Sequence, residues 1–182
     1  MENYLKKKAV QSPGALGYAL TYASILNEAI QNNYERILIF DDDVIFHKNF
    51  NHEFRLRMRM LPCDWKLIML GAMQHHWEDS WITWVNKNLY HCHGTSIASH
   101  AVAMQAKVFL PLLYYSEKLD LPIDEGAVYH IQQVYAKQCY VFYPNLVIQD
   151  VGESDINSSA LSPKDIMKKN NIFRWNFADY SI

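Results

Sequence analysis

From Ser12 onward, apolar residues recur at helical spacing. Ala19, Tyr22, Ala23, Leu26 and Ile30 share one face, which predicts an amphipathic helix ending near Asn32-Asn33. Ser12-Pro13 is a start signal, because a serine oxygen can accept a first-turn N–H and proline's fixed φ suits the first helical position. Gly14 and Gly17 fall in the first turn, where a missing Cβ costs helix propensity but lets another backbone or a ligand come close. The pattern then shortens. Arg36 to Phe40 reads Arg-Ile-Leu-Ile-Phe, a β-branched and aromatic run that predicts a strand buried on both faces.

A second apolar run, Leu67 to Leu70, ends at Gly71, and Phe50 to Met60 between the two reads as a helix with an arginine-rich exposed side. Residues 74 to 93 have no clean period and read as a long loop with a short strand near Trp81 to Val85. Ile97 to Gln105 predicts a strand, Ala106 to Glu117 a helix despite Pro111, Pro122 to Lys137 a helix starting around Asp124, and Cys139 to Tyr143 a strand. Helices alternating with buried strands predict a single α/β domain, a mainly parallel sheet flanked by helices. The folded unit is placed at residues 1–156. Residues 157–182 are a polar tail, either poorly ordered or wrapped on the surface.

Composition narrows the class. Of 182 residues, 50% are apolar and 20% charged, which suits a globular chain and excludes a disordered one. Net charge is −2, so no basic field points to a nucleic-acid partner. Lys6-Lys7-Lys8 reads as a solvated end. Cys63, Cys92 and Cys139 are odd in number and widely spaced, a pattern that suits a reducing compartment. No apolar run approaches the ~20 residues of a bilayer span, and a cytoplasmic setting is the expectation. Aromatics reach 14%, with 12 Tyr and 5 Trp. Such rings fill cores and also form platforms for sugars.

The chemistry concentrates at Asp41-Asp42-Asp43, directly after the first predicted strand. If strand geometry persists, Asp41 and Asp43 face one side and Asp42 the other. Paired carboxylates at the end of a strand suit Mg2+ or Mn2+, which take one or two carboxylates together with phosphate oxygens and water. The plainer alternative is a solvated acidic turn or a cap on the next helix. No glycine-rich phosphate loop is present, and Ile45 excludes the Asp-x-Asp-x-Thr pattern of aspartyl-phosphate phosphatases.

Two stretches, Pro13-Gly14-Ala15-Leu16-Gly17-Tyr18-Ala19-Leu20-Thr21-Tyr22 and Ile37-Leu38-Ile39-Phe40-Asp41-Asp42-Asp43-Val44-Ile45-Phe46, carry a resemblance to glycosyltransferase family 25. That family includes lipopolysaccharide-biosynthesis and procollagen galactosyltransferases. Gly94-Thr95 to Leu113, Pro122-Ile123-Asp124 with Tyr143 to Gln149, and Ser154-Asp155-Ile156 resemble its later motifs. The resemblance implies a GT-A-like fold, a UDP-hexose donor carrying galactose or glucose, a Mn2+ or Mg2+ ion, and a glycan or hydroxylated acceptor, with inversion at the sugar. It also implies that Asp41 and Asp43 occupy the two ends of the Asp-x-Asp-type motif and that Asp124 lies on the acceptor side. The chain departs from the pattern at Asp41, where glutamate is usual, and at Ala15, Tyr18, Thr21 and Tyr22, which stand for glutamate, cysteine, serine and histidine. The family's first strand, with its Arg-x-Asp-Arg signature, is not found.

Transfer with inversion needs a base beside the acceptor hydroxyl. Asp124 and Glu125 are the candidates, although an acid at a helix start also serves as a cap. Gly14, Asp42 and Gln149 join Asp41 and Asp43 as donor-site residues, and Asp155 is a candidate further metal ligand. His75-His76 and His91-Cys92-His93 lack structural-zinc spacing. They read as lining a polar loop near the acceptor, or as giving one ligand or hydrogen bond to the donor site. Trp77, Trp81 and Trp84 read as packing or as a stacking surface for an acceptor sugar. The alternative to an enzyme is a non-catalytic carbohydrate- or partner-binding domain derived from one.

Overall fold

The computed structural model of the protein describes residues 12–78, 80, 82–92, 96–150 and 171–181. Lys6-Lys7-Lys8, Trp81, His93, Gly94-Thr95 and Ser154-Asp155-Ile156, all singled out by the sequence, lie outside them.

Helix α1 (Pro13–Gln31) begins as its sequence predicts, with the Ala15 N–H donating to Ser12 Oγ at 3.1 Å, a cap of about 1 kcal/mol. It ends at Asn32, and Asn33 reverses the chain at φ 54°. There follow β1 (Arg36–Phe40), β2 (Val44–Phe46), α2 (Phe50–Met58), β3 (Leu67–Met69), β4 (Met73–Gln74), β5 (Thr83–Asn86), β6 (Leu89–His91), β7 (Ser96–Ile97), β8 (Ala101–Gln105) and α3 (Phe109–Lys118). A π-turn at Asp124–Val128 then leads into α4 (Tyr129–Val134), followed by β9 (Cys139–Phe142) and β10 (Val147–Gln149).

Six strands form the main sheet in the order β1-β8-β3-β9-β6-β5. Its alternation builds two cores. Leu67 and Met69 of β3 and Val102 and Met104 of β8 face α1, α3 and α4, whereas Ile68, Ala101 and Ala103 face α2, β2 and β10. The period of two puts successive side chains on opposite faces, so one short strand serves both layers.

The mixed α/β class holds, but the mainly parallel sheet does not. Among the described strands of this sheet, only β3 and β9 pair in parallel, and the other four neighbouring pairs are antiparallel. Two antiparallel connections explain this. β8 returns between β1 and β3, and β5–β6 is a hairpin in the stretch read as a long loop. A second correction concerns β1. As an end strand it is paired on one side only. Ile39 alone is buried, while Leu38 and Phe40 are each 37% exposed.

The helix at 50–58 also differs from its reading as arginine-rich and exposed. Arg57 is buried, donates to the Pro144 carbonyl and pairs with Glu53 at 3.2 Å one turn back. Burying a guanidinium is costly unless its donors are met, and here a carbonyl and a carboxylate meet them. Of the polar tail, residues 171–181 pack against β2 and β10. Phe173, Trp175 and Tyr180 bury with Ile148 in a third cluster, and Tyr180 Oη donates to the Asn145 carbonyl at 2.8 Å. All three cysteines are free thiols.

Candidate active site

The aspartates lie where β1 gives way to β2. The strand stops at Phe40 and residues 41–43 make a turn, so strict strand alternation does not govern them. Asp42 is exposed, and Asp41 and Asp43 are half-buried and face different partners.

Asp41 is tied at two points. Its backbone N–H donates to the His100 carbonyl at 2.9 Å, extending the β1–β8 pairing by one residue. Its carboxylate accepts from the Tyr18 hydroxyl, which lies 3.2 Å from Oδ1 and 3.4 Å from Oδ2. Tyr18 Oη is also 2.8 Å from Ser99 Oγ. Burial raises the Asp41 carboxyl. The Tyr18 hydrogen bond opposes that rise, the charges of Asp43, Asp42 and Asp124 add to it, and the result is about 6.

Asp43 faces β10. Gln149 Nε2 donates to its Oδ2 at 2.8 Å, and the Asp150 N–H donates to its carbonyl at 2.9 Å. Its Oδ1 is buried without a hydrogen-bond partner among the described residues. Burial holds the Asp43 carboxyl above the usual range. A buried oxygen left without a donor is costly, and a cation or a ligand hydroxyl is the kind of group that would relieve it. Among the described residues, no group of three or more His, Cys, Asp or Glu side chains is placed to hold a metal. Among the described residues, Asp41 and Asp43 therefore offer two carboxylates, a number that suits Mg2+ or Mn2+ completed by phosphate and water.

Asp124 serves a different element. Its Oδ2 accepts the Ala98 N–H at 2.9 Å and its Oδ1 the Glu125 N–H at 3.0 Å. Ala98 sits at φ 75°, a left-handed conformation that costs a non-glycine residue about 1–2 kcal/mol. Asp124 therefore clasps the strained link 98–100 between β7 and β8. It stands inside the π-turn and not at its cap, which is Ile123. Glu125 is exposed beside it.

That link is the hub. Ala98 meets Asp124, Ser99 meets Tyr18, and His100 holds Asp41. The His100 ring is fully buried, with Nε2 3.3 Å from the Val147 carbonyl oxygen. Burial lowers its pKa to about 4 and keeps it neutral. Gly71 makes room for it, because a Cβ there would run into the Val147 carbonyl and lie 2.8 Å from His100 Nε2.

The sequence reading missed Tyr18, Tyr22, Ser99 and His100 as neighbours of the aspartates. Tyr22 is buried, and its hydroxyl lacks a hydrogen-bond partner among the described residues. Burial, with the charges of Asp41 and Asp124, raises its pKa. Two hydroxyl-bearing rings one turn apart on an otherwise apolar helix face were the available signal. Gly14 stays in the first turn of α1, one turn before Tyr18. Trp77 and Trp84 pack in a cluster with Tyr90 and Tyr143. His75 meets Phe173 edge-on, and His91 lies against Tyr140.

The profile of glycosyltransferase family 25 (LPS biosynthesis protein) matches residues 1–141. The chain belongs to glycosyltransferase family 25. The matched region contains α1, the aspartate turn, the 98–100 link and Asp124, so the network just described lies inside the family's region, and Gln149 lies beyond it. Family 25 membership implies a glycosyltransferase that takes a sugar donor and a carbohydrate acceptor. No curated protein matches the chain. Among the described residues of this family 25 chain, no helix is long and apolar enough to cross a membrane.

Proposed function

We propose that the protein transfers a hexose, galactose or glucose, from a UDP-sugar to a glycan or hydroxylated acceptor, with inversion, in a GT-A-type site at the end of β1. The observation that carries this reading is the buried Oδ1 of Asp43, without a hydrogen-bond partner among the described residues, on a turn that also presents Asp41. In a family 25 chain, two such carboxylates would hold Mn2+ or Mg2+ against the donor diphosphate. When bound, the ion neutralises charge on the leaving diphosphate.

The chain's own residues do the rest. Gln149 orients Asp43 by its 2.8 Å bond. Exposed Asp42 and the Gly14 turn lie on the donor side of the reading. Asp124 is the proposed base. Each of its oxygens accepts one backbone N–H and keeps a lone pair for an acceptor hydroxyl. Asp155 is proposed as a further ligand from its place in the sequence.

The test is a transfer assay with UDP-galactose and UDP-glucose against hexose-terminated acceptors, with Mn2+ present or chelated. Metal-dependent glycoside formation, abolished in Asp43→Ala, supports the reading. Release of UDP to water at the same rate with and without acceptor would show a hydrolase instead.

A further inference from the structure

Three contacts converge on Tyr18. Its hydroxyl is forked across both oxygens of Asp41 at 3.2 and 3.4 Å, and it lies 2.8 Å from Ser99 Oγ. Its ring leaves α1 on the side packed against the core, 6.0 Å from that of Tyr22 one turn further on. The direction of the chain follows from chemistry. An ionised carboxylate has no proton to give, so Tyr18 donates to Asp41 and Ser99 donates to Tyr18. Among the described residues, no other side chain hydrogen-bonds the Asp41 carboxylate.

Ser99 is not an incidental neighbour. It lies between Ala98, whose N–H Asp124 holds, and His100, whose carbonyl holds the Asp41 N–H. One tripeptide thus fixes the backbone of Asp41, the side chain of Asp41 through Tyr18, and Asp124. The residues bridged are far apart in sequence, and among the described residues it is through this hydroxyl that α1 hydrogen-bonds the turn.

We propose that Tyr18 is a positioning residue of the donor site, which with Ser99 behind it fixes the plane of the Asp41 carboxylate and registers it against Asp124. This rests on the reading of Asp41 and Asp43 as the donor-binding pair. A forked contact constrains the carboxylate plane more than either oxygen alone. Without it the side chain is free to rotate about two bonds, and a ligand must order it on binding.

The probes are Mn2+, followed by its electron paramagnetic resonance signal, and UDP, followed by calorimetry. Tyr18→Phe removes the hydroxyl and keeps the ring. It is expected to raise the Kd for UDP with Mn2+ about tenfold, as loss of a hydrogen bond to a charged group does. Ser99→Ala is expected to raise it by a smaller factor in the same direction. In an Asp41→Asn background, Tyr18→Phe is expected to add nothing.

A role in stability alone would lower the melting temperature of Tyr18→Phe and leave the Kd unchanged, and that result overturns the proposal. If Tyr18→Phe does not fold, Ser99→Ala decides, and wild-type affinity there overturns it equally. Failure of the wild-type protein to bind UDP with Mn2+ would remove the donor-site reading itself, and the proposal with it. That outcome differs visibly from wild-type binding that Tyr18→Phe does not alter.

Discussion

The backbone N–H of Asp41 donates to the carbonyl of His100 at 2.9 Å, and the two side chains joined this way titrate with opposite effect on stability. Asp41 is raised from 3.8 to about 6, chiefly by burial. Its proton therefore favours the fold: that contribution is complete below pH 3.8 and is lost as pH rises through about 6. Solvent screening at a half-exposed carboxylate limits it to about 1–2 kcal/mol. His100 is lowered from 6.5 to about 4 by burial. Its contribution is complete above pH 6.5 and is lost as pH falls toward about 4, on the order of 3 kcal/mol for a fully buried ring.

The two windows overlap between about pH 4 and 6, where the terms oppose each other. Asp41→Asn should therefore steepen the loss of stability on acidification, and His100→Gln should flatten or reverse it. Urea midpoints at several pH values across that window measure both. Parallel pH profiles for wild type and Asp41→Asn would contradict the assignment.

Gly71→Ala tests the space behind the site. The new Cβ would collide with the Val147 carbonyl and crowd His100 Nε2 at 2.8 Å, and neither β10 nor a fully buried ring can yield cheaply. A loss of about 3 kcal/mol is expected, read as a lower thermal midpoint. Donor affinity should fall with it, since His100 carries the Asp41 anchor.

Ala98→Gly should act in the other direction. At φ 75° glycine relieves strain that alanine bears, and the gain, reduced by glycine's entropy cost, is about 0.5 kcal/mol. Asp124→Ala leaves the N–H groups of Ala98 and Glu125 without their acceptor, and about 1–2 kcal/mol should be lost. If Asp124 is also the base, kcat collapses at temperatures where the variant is fully folded. If it is a clasp alone, activity follows the folded fraction.

Local pattern carried much of this fold. Helix α1 with its Ser12 cap, the strands at 36–40, 67–69 and 139–142, and the helix at 109–118 were all legible, because periodicity and caps are properties of neighbouring residues. Pairing partners were not. Nothing within Arg36–Phe40 says that it lies at an edge, and nothing within Ala101–Gln105 says that it runs antiparallel between β1 and β3. Arg57 looked like one more exposed arginine, because the Pro144 carbonyl that receives it is 87 residues away. In the site, the aspartate turn stood out by charge and placement, whereas Tyr18 stood out only as a departure from the family pattern, and Ser99, 81 residues on, fell inside a stretch read as one continuous strand.

The proposed function stands or falls with Asp41 and Asp43 as a cation-dependent site for a nucleotide diphosphate. Calorimetric titration of UDP into the folded protein, with and without Mn2+, tests it most directly. Binding is expected to require Mn2+ and to disappear in Asp43→Ala. UDP binding of equal strength with and without the ion, or no binding in either case, would contradict it.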